Sequence, residues 1–367
     1  MPAYRFTLTM LSPVHIGSGE EIEPTDYVVE ARDFNGATHH ILRALDLAKL
    51  LGRLTEDQRR RFNEAVDQKA LFHLRKFIRS VATSADYRWS APCNKQIHRL
   101  YQAGLEGDSA QLLISLMTRD GGTGCPYVPG SSIKGALRTA WLSRQLGRMS
   151  RRPRPDDRNF EALALGYAAE NAAGRPRGEI RADPFRAIRV GDAPLPPDGN
   201  IIEPVRIHKP GRKAGEADPA GIQMYYDVTF SRLDGEDITA EGRLIIDERL
   251  AQTPTRDISG WPFQNCVAGP IKARELLDAC NDFYRPRLKD EFDRFPVLRE
   301  TAGLLLEEAT RLEPGQALIR LGRFSHKECV TVDPTGGMCR KPGTTRSLVV
   351  GELPLGWARL TLAPLRG

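Results

Sequence analysis

No run of apolar residues in this sequence is long enough to cross a bilayer, which excludes a membrane-spanning helix. The N-terminal residues alternate apolar and polar and lack a signal-peptide core, so a cytoplasmic location is expected. Six cysteines, at positions 93, 125, 266, 280, 329 and 339, are scattered without a C-x-x-C pair. That spacing argues against a structural zinc site and against a disulfide framework. No G-x-S-x-G elbow, H-E-x-x-H helix or dinucleotide fingerprint occurs, and no cofactor is expected. Low-complexity tracts are absent as well.

What remains is a chain of 367 residues, long enough for two domains or for one with a large insertion. Its net charge of +6 and pI of about 9.0 favour an anionic partner, nucleic acid before membrane. Residues 4–11 read as a strand with Tyr4, Phe6, Leu8 and Met10 on one face. Tyr27–Val29 and His40–Leu42 read as two more. From Asp46 the period becomes helical, and Thr55-Glu56-Asp57-Gln58 has the form of a capping box. Residues 46–118 are therefore expected to be a mostly helical insertion. A helix opened by Ser131-Ser132 is expected to run to about 144, with arginine-rich stretches beyond it. Phe185–Val190 reads as a strand, Met224–Phe230 and Gly242–Ile246 as a hairpin pair, and 270–312 as a helical block broken at Pro286 and Pro296. Leu318–Leu321, Val330–Val332, Leu348–Val350 and Trp357–Leu362 read as closing strands. Together these elements indicate α+β architecture.

Three stretches carry chemistry. In the first, Gly121-Gly122-Thr123-Gly124 leads into Pro126–Arg138, where Gly130-Ser131-Ser132 opens a helix bearing Lys134 and Arg138 on one side. Free first-turn amides beside cations are how a chain presents itself to phosphate. It is not a Walker A loop, because Lys134 precedes Gly135. The plain alternative is a well-capped surface helix. The second stretch is Ser12-Pro13-Val14-His15-Ile16-Gly17-Ser18-Gly19, a strand ending in glycines that admits close backbone approach. His15 is equally readable as a packed histidine. The third is Gly322–Glu328 with Gly336–Arg346, where Arg323, His326, Lys341 and Arg346 interleave with glycine and an aromatic ring. This suits a groove that tracks an RNA backbone, or a solvated hairpin. His326, Cys329 and Cys339 match no common metal spacing. His15 with Asp26 is a possible acid–base pair, and Asp156-Asp157 reads as charge balance among arginines.

Leu11–Gly19, Asp26-Tyr27-Val28, Val128–Thr139 and Pro354-Leu355-Gly356-Trp357, in that order, resemble the RAMP superfamily of CRISPR proteins. Within it they are most similar to the fifth-subunit family of type III-A Csm effector complexes. The resemblance implies two ferredoxin-like (RRM-like) domains with helical insertions. The first would span 1–200 with its insertion at 46–118, and the second 201–367 with its helical block at 270–312. It also implies a non-catalytic subunit that caps the 3′ portion of the CRISPR guide RNA. That subunit contacts the neighbouring backbone RAMP subunit and the small helical subunit, and recruits host nucleases for guide 3′ maturation in antiviral defence. Carried onto this chain, the Gly130–Arg138 helix start faces the guide, with Ser131 and Ser132 beside it and Lys134 and Arg138 on phosphates. Gly17, Ser18 and Gly19 lie along the RNA path, and His15, Arg323, His326, Lys341 and Arg346 complete the expected RNA contacts. The C-terminal glycine loop departs from the family pattern, keeping only Gly322, Gly336 and Gly337. In backbone RAMP subunits an aspartate of the first domain supports metal-dependent RNA cleavage. Asp26 lies in a comparable stretch and is read as structural, with a metal-dependent or His15-driven ribonuclease as the alternative. A related RAMP subunit of another type III complex, or a stand-alone RNA-binding protein, is the remaining alternative.

Overall fold

The N-terminal strand Ala3–Met10 is the middle of the first sheet, because every second side chain on it is apolar. Phe6, Leu8 and Met10 are fully buried. It pairs antiparallel with Thr239–Ile246 on one side and with Trp357–Pro364 on the other. Ile188–Val190 and Gln316–Arg320 complete a five-stranded sheet. Two long helices, Gly130–Arg148 and Ala273–Arg294, pack on its apolar face and on each other, and this layer holds the largest core. The computed structural model describes residues 2–67, 71–107, 112–154, 158–170, 176–211, 224–251, 255–256, 262–263, 267, 269–330, 332–333 and 337–365. Cys266, Asp156, Asp157, Arg175, Gly336 and the polar stretch 212–219 lie outside the described residues.

The helix expected to break at Pro286 runs through it. A proline there forfeits one backbone hydrogen bond, and the burial of Phe283, Tyr284 and Leu288 around it outweighs that loss. Arg144 and Arg148 also lie within a helix, since Gly130–Arg148 extends past residue 144.

The second sheet has six strands, in the order Leu353–Pro354, Arg346–Val349, Asn200–His208, Met224–Thr229, Ile114–Met117 and Gly17–Ile22. Only Met224–Thr229 against Ile114–Met117 is parallel. The expected hairpin of Met224–Phe230 with Gly242–Ile246 does not form, because these strands belong to different sheets. A turn at Arg232–Asp234, closed by Gly235 at φ 84°, swings the chain from one sheet to the other. Both large sheets combine strands from either side of residue 200.

A third, smaller layer is built by Tyr27–Phe34, Ala37–Leu45 and Tyr87–Pro92. The helices Leu71–Val81 and Lys95–Leu105 pack on it around a separate core. Its hairpin turns at Asn35 and Gly36, both at positive φ, as a two-residue turn demands. The 46–118 insertion is thus mostly helical but includes the strands Tyr87–Pro92 and Ile114–Met117. Its capping box is present: Thr55 N–H donates to Gln58 Oε1 (3.0 Å) and Gln58 N–H to Thr55 Oγ1 (3.3 Å). Two expected strands differ. Pro184–Ala187 is a 3-10 turn ahead of Ile188–Val190, and His326–Val330 is helical. Among the described residues no helix is long and apolar enough to cross a membrane.

Candidate nucleic-acid interface

The Ser12–Gly19 motif stitches the two large sheets together. Leu11 N–H and Ser12 N–H both donate to Trp357 O at 3.0 Å, and Trp357 N–H donates to Ser12 Oγ (2.9 Å). Gly356 N–H reaches Pro13 O (2.7 Å), while Val14 exchanges two hydrogen bonds with Thr229 on the second sheet. A crossing segment with partners on both sides is buried by construction. His15 is accordingly 1% exposed. Its Nδ1–H donates to Asp227 O (2.7 Å), and its ring packs edge-on against Tyr226 and near Phe324. Burial lowers its pKa and keeps it neutral. His15 is therefore neither an RNA contact nor half of an acid–base pair with Asp26. The Asp26 carboxylate accepts from Glu23 N–H (2.8 Å) and closes a local turn. Beyond His15 the chain surfaces, and Gly17, Ser18 and Gly19 are exposed.

The helix begins one residue before the expected serine caps. Its N-cap is Pro129, and the Gly130 N–H is capped from outside by Asp192 Oδ1 (2.7 Å). Gly130 is obligatory, since a Cβ there would lie 2.2 Å from Val190 O. Ser131 and Ser132 thus occupy the first turn rather than the cap. The amides of the Gly121–Gly124 loop are also spent internally: Gly122 and Thr123 N–H donate to Asp120 Oδ1. Arg138 is not free to meet phosphate. Its guanidinium makes two 2.9 Å hydrogen bonds to Asp183 and one to Glu161, and lies over the Phe185 ring. With its donors committed to two carboxylates, it ties Glu161 and Asp183 to the helix instead of meeting phosphate. Lys134 is half-buried beside the same Asp183, and burial lowers its pKa.

The C-terminal loop divides the same way. Arg346 is 1% exposed and belongs to a buried ionic cluster. The Glu291 carboxylate accepts from Arg346 Nε (2.6 Å), from Arg320 through both Nη atoms (2.9 Å each) and from Trp357 Nε1 (3.0 Å). Glu328 takes Arg346 Nη2 (2.9 Å) and Arg294 Nη2 (2.6 Å). His326 sits beside this cluster, and burial together with Arg320 and Arg346 pushes its pKa down to about 3. Arg346 and His326 are therefore framework, because their charges face inward or are suppressed. Among the described residues, His326, Cys329 and Cys339 belong to no cluster able to hold a metal. Cys93, Cys125, Cys280, Cys329 and Cys339 are free thiols. Arg323 and Lys341 are exposed.

Three segments far apart in the chain meet at one groove of about 580 Å³. Gly17 and Gly19 line one wall, Ser132, Gly135, Ala136 and Thr139 a second, and Gly322, Arg323 and Ser325 a third. The helix residues are spaced i, i+3, i+4, i+7, so one small-residue face looks into the groove while Ser131, Lys134 and Arg138 occupy the next face round. Gly135 has open space where a side chain would stand. The loop wall is held by the Arg323 N–H donating to His15 O (3.1 Å). Gly322, at φ 79°, lies so close that a Cβ would sit 2.0 Å from that oxygen. The exposed Arg323 side chain lies 5.8 Å from the Tyr226 ring and has no carboxylate partner among the described residues. Sequence motifs alone do not mark Gly135 and Thr139 as groove residues, Asp192 as the cap of their helix, or Glu291 as the partner of the groove-lining Arg320. The i, i+3, i+4, i+7 run of small residues was the signal for the first pair. Asp192 and Glu291 carry no local signal.

A model of the RAMP superfamily matches residues 7–248. The chain belongs to the RAMP superfamily. Among curated proteins, this RAMP chain is 25% identical over 257 residues to the Streptococcus thermophilus protein described as "CRISPR system Cms protein Csm5". The match spans 66% of this chain and 66% of that protein, just under two thirds of the relative's length. A chain of the cryo-EM structure of a type III-A Csm–crRNA–target RNA ternary complex superposes with a TM-score of 0.65 at 20% identity, covering 98% of this chain and 100% of that one. The crystal structure of T. onnurineus Csm5 gives a TM-score of 0.54 at 17% identity, covering 96% and 99%. At these identities the two structures speak for the fold, and the α+β, ferredoxin-like RAMP architecture expected from the sequence is the fold of this chain.

Proposed function

We propose that this chain is a non-catalytic, RNA-binding subunit of a type III-A Csm effector complex. It caps the 3′ portion of the guide RNA, packs against the neighbouring backbone RAMP subunit and the small helical subunit, and recruits host nucleases for guide 3′ maturation. The observation that carries this reading is the convergence of the three motif segments on one groove. Backbone from Gly17, Gly19 and Gly322, the small residues of one helix face and an uncommitted arginine form a surface that a sugar–phosphate chain can approach closely. The polar side chains of its walls are hydroxyls and a guanidinium, which suit phosphate and ribose better than base edges, so recognition depends weakly on sequence. Ser18, Ser131 and Lys134, next in sequence to groove residues, and the exposed Lys341 are the further contacts in this reading. The relative named Csm5 and the fold match within a Csm–crRNA complex support the assignment to a Csm assembly.

The test is to replace Gly135 with Glu. No atom lies within 4 Å of the added Cβ, and glutamate is the better helix former by roughly 0.5–0.8 kcal/mol. Thermal stability is expected to hold or rise while guide RNA affinity falls by at least about tenfold, because a carboxylate then faces phosphate. Arg323→Gln should lower the salt slope of binding by about 0.7, the share of one phosphate contact to a single strand. Arg138→Gln should lower the melting temperature and leave that slope unchanged. Unaltered binding by the Gly135→Glu protein would remove the groove from the account. Incubation with guide and target RNA, in magnesium and in EDTA, should yield no cleavage. Cleavage in either condition would replace the non-catalytic reading.

A further inference from the structure

The five-stranded sheet has a second face, across the sheet from the Gly130–Arg148 helix and its groove. Arg5, Glu241, Arg243 and Ala363 are exposed on it. Arg5 and Arg243 stand directly opposite each other on adjacent antiparallel strands. Like charges in that position cost stability, and a carboxylate beside them is the usual remedy. Neither arginine has an ion-pair partner among the described residues. Glu241, two residues from Arg243, takes a hydrogen bond from Thr7 Oγ1 (3.3 Å) instead. A shallow concavity of about 210 Å³ opens here, lined by Arg5, Glu241, Gly242, Arg243 and Leu365.

The positive charge continues sideways. Arg189, on the neighbouring edge strand, opposes Ile245 and so stands diagonal to Arg243. Arg189 and Arg249 share the single carboxylate of Asp247. Four arginines therefore face two acids, Asp247 and Glu241, a local excess of two positive charges. Among the described residues no aromatic ring lines the concavity, and none there offers a stacking platform for bases. Forked guanidiniums held on a rigid sheet match phosphate oxygens in pairs.

We infer that this face is a second nucleic-acid site, at which Arg5 and Arg243 engage the sugar–phosphate backbone of a strand whose bases point away. Phosphate between the two arginines replaces their mutual repulsion with attraction, which accounts for a pairing that is otherwise unfavourable. The site is independent of the groove, and the two bind different segments of nucleic acid.

The experiment measures binding of a labelled single-stranded RNA across a salt series by four proteins. These are the unmodified chain, Arg5→Gln with Arg243→Gln, Gly135→Glu with Arg323→Gln, and all four changes together. Removing two phosphate contacts should lower the salt slope by about 1.4 and weaken binding about three- to tenfold, in the groove-disabled background as well as alone. The sheet variant should melt at the same or a higher temperature, since repulsion is removed. Unchanged affinity and slope in the groove-disabled background would overturn the proposal. A polyglutamate probe that loses binding to the sheet variant while RNA does not would overturn it too, assigning the face to an acidic protein. If the groove changes have no effect while the sheet changes abolish binding, the groove reading fails and this one stands.

Discussion

Replacing Glu291 with Gln is expected to cost about 3–5 kcal/mol, because it leaves buried Arg320 without its carboxylate and buried Arg346 with Glu328 alone. Arg320 and Arg346 are 3% and 1% exposed, and both direct hydrogen bonds at this one carboxylate. Charge removal leaves them repelling each other in a medium that screens poorly. The cluster also ties the Ala273–Arg294 helix to the strands Gln316–Arg320 and Arg346–Val349 and to Trp357, so its loss loosens both large sheets. Equilibrium urea denaturation measures the effect, and a loss under about 1 kcal/mol would show that the arginines have found other partners. The acid limb has a definite sign. Burial alone would raise the Glu328 carboxyl, but Arg346 and Arg294 hold it down to about 2 from an ordinary 4.5. A depressed carboxyl contributes stability above its unfolded value and loses it as pH falls. Stability is therefore expected to fall between pH 4.5 and about 2. Glu328→Gln should flatten that fall.

Gly322→Ala is expected to be the second severe change, at more than about 3 kcal/mol or with outright displacement of the loop. The left-handed backbone at φ 79° is one cost, and a Cβ driven to 2.0 Å from His15 O is the larger one. Relief requires breaking the Arg323 N–H to His15 O bond, which removes a wall of the groove. Stability and RNA binding should fall together. Gly19→Ala is the control: its φ is +85°, yet no atom lies within 4 Å of the new methyl. Its cost should be limited to the backbone term of about 1–2 kcal/mol. Equal penalties in melting experiments on the two variants would show that the contact with His15 does not matter.

The fold was legible where one local rule acts. Alternation marked Ala3–Met10, and Thr55 to Gln58 announced a helix start that the structure bears out to the hydrogen bond. The motifs at Ser12–Gly19 and Gly130–Arg138 were legible as important, though not for the reasons their composition offered. His15 reads as a polar group on a turn, but partners more than 200 residues away bury it. Arg138 and Arg346 look in sequence like the exposed Arg323. What separates them is a carboxylate brought close by the fold, Asp183 at a separation of 45 and Glu291 at 55. No window of sequence contains that fact. Pro286 misled for the same reason, because packing between two helices decided a question that propensity answered differently.

One measurement addresses the central claim most directly: amide hydrogen exchange of the purified chain with and without a guide-length single-stranded RNA. Slowed exchange should concentrate in peptides covering Ile16–Gly19, Ser131–Ala136 and Gly322–Ser325, the three walls of one groove. Protection that leaves all three unchanged and appears elsewhere would contradict it.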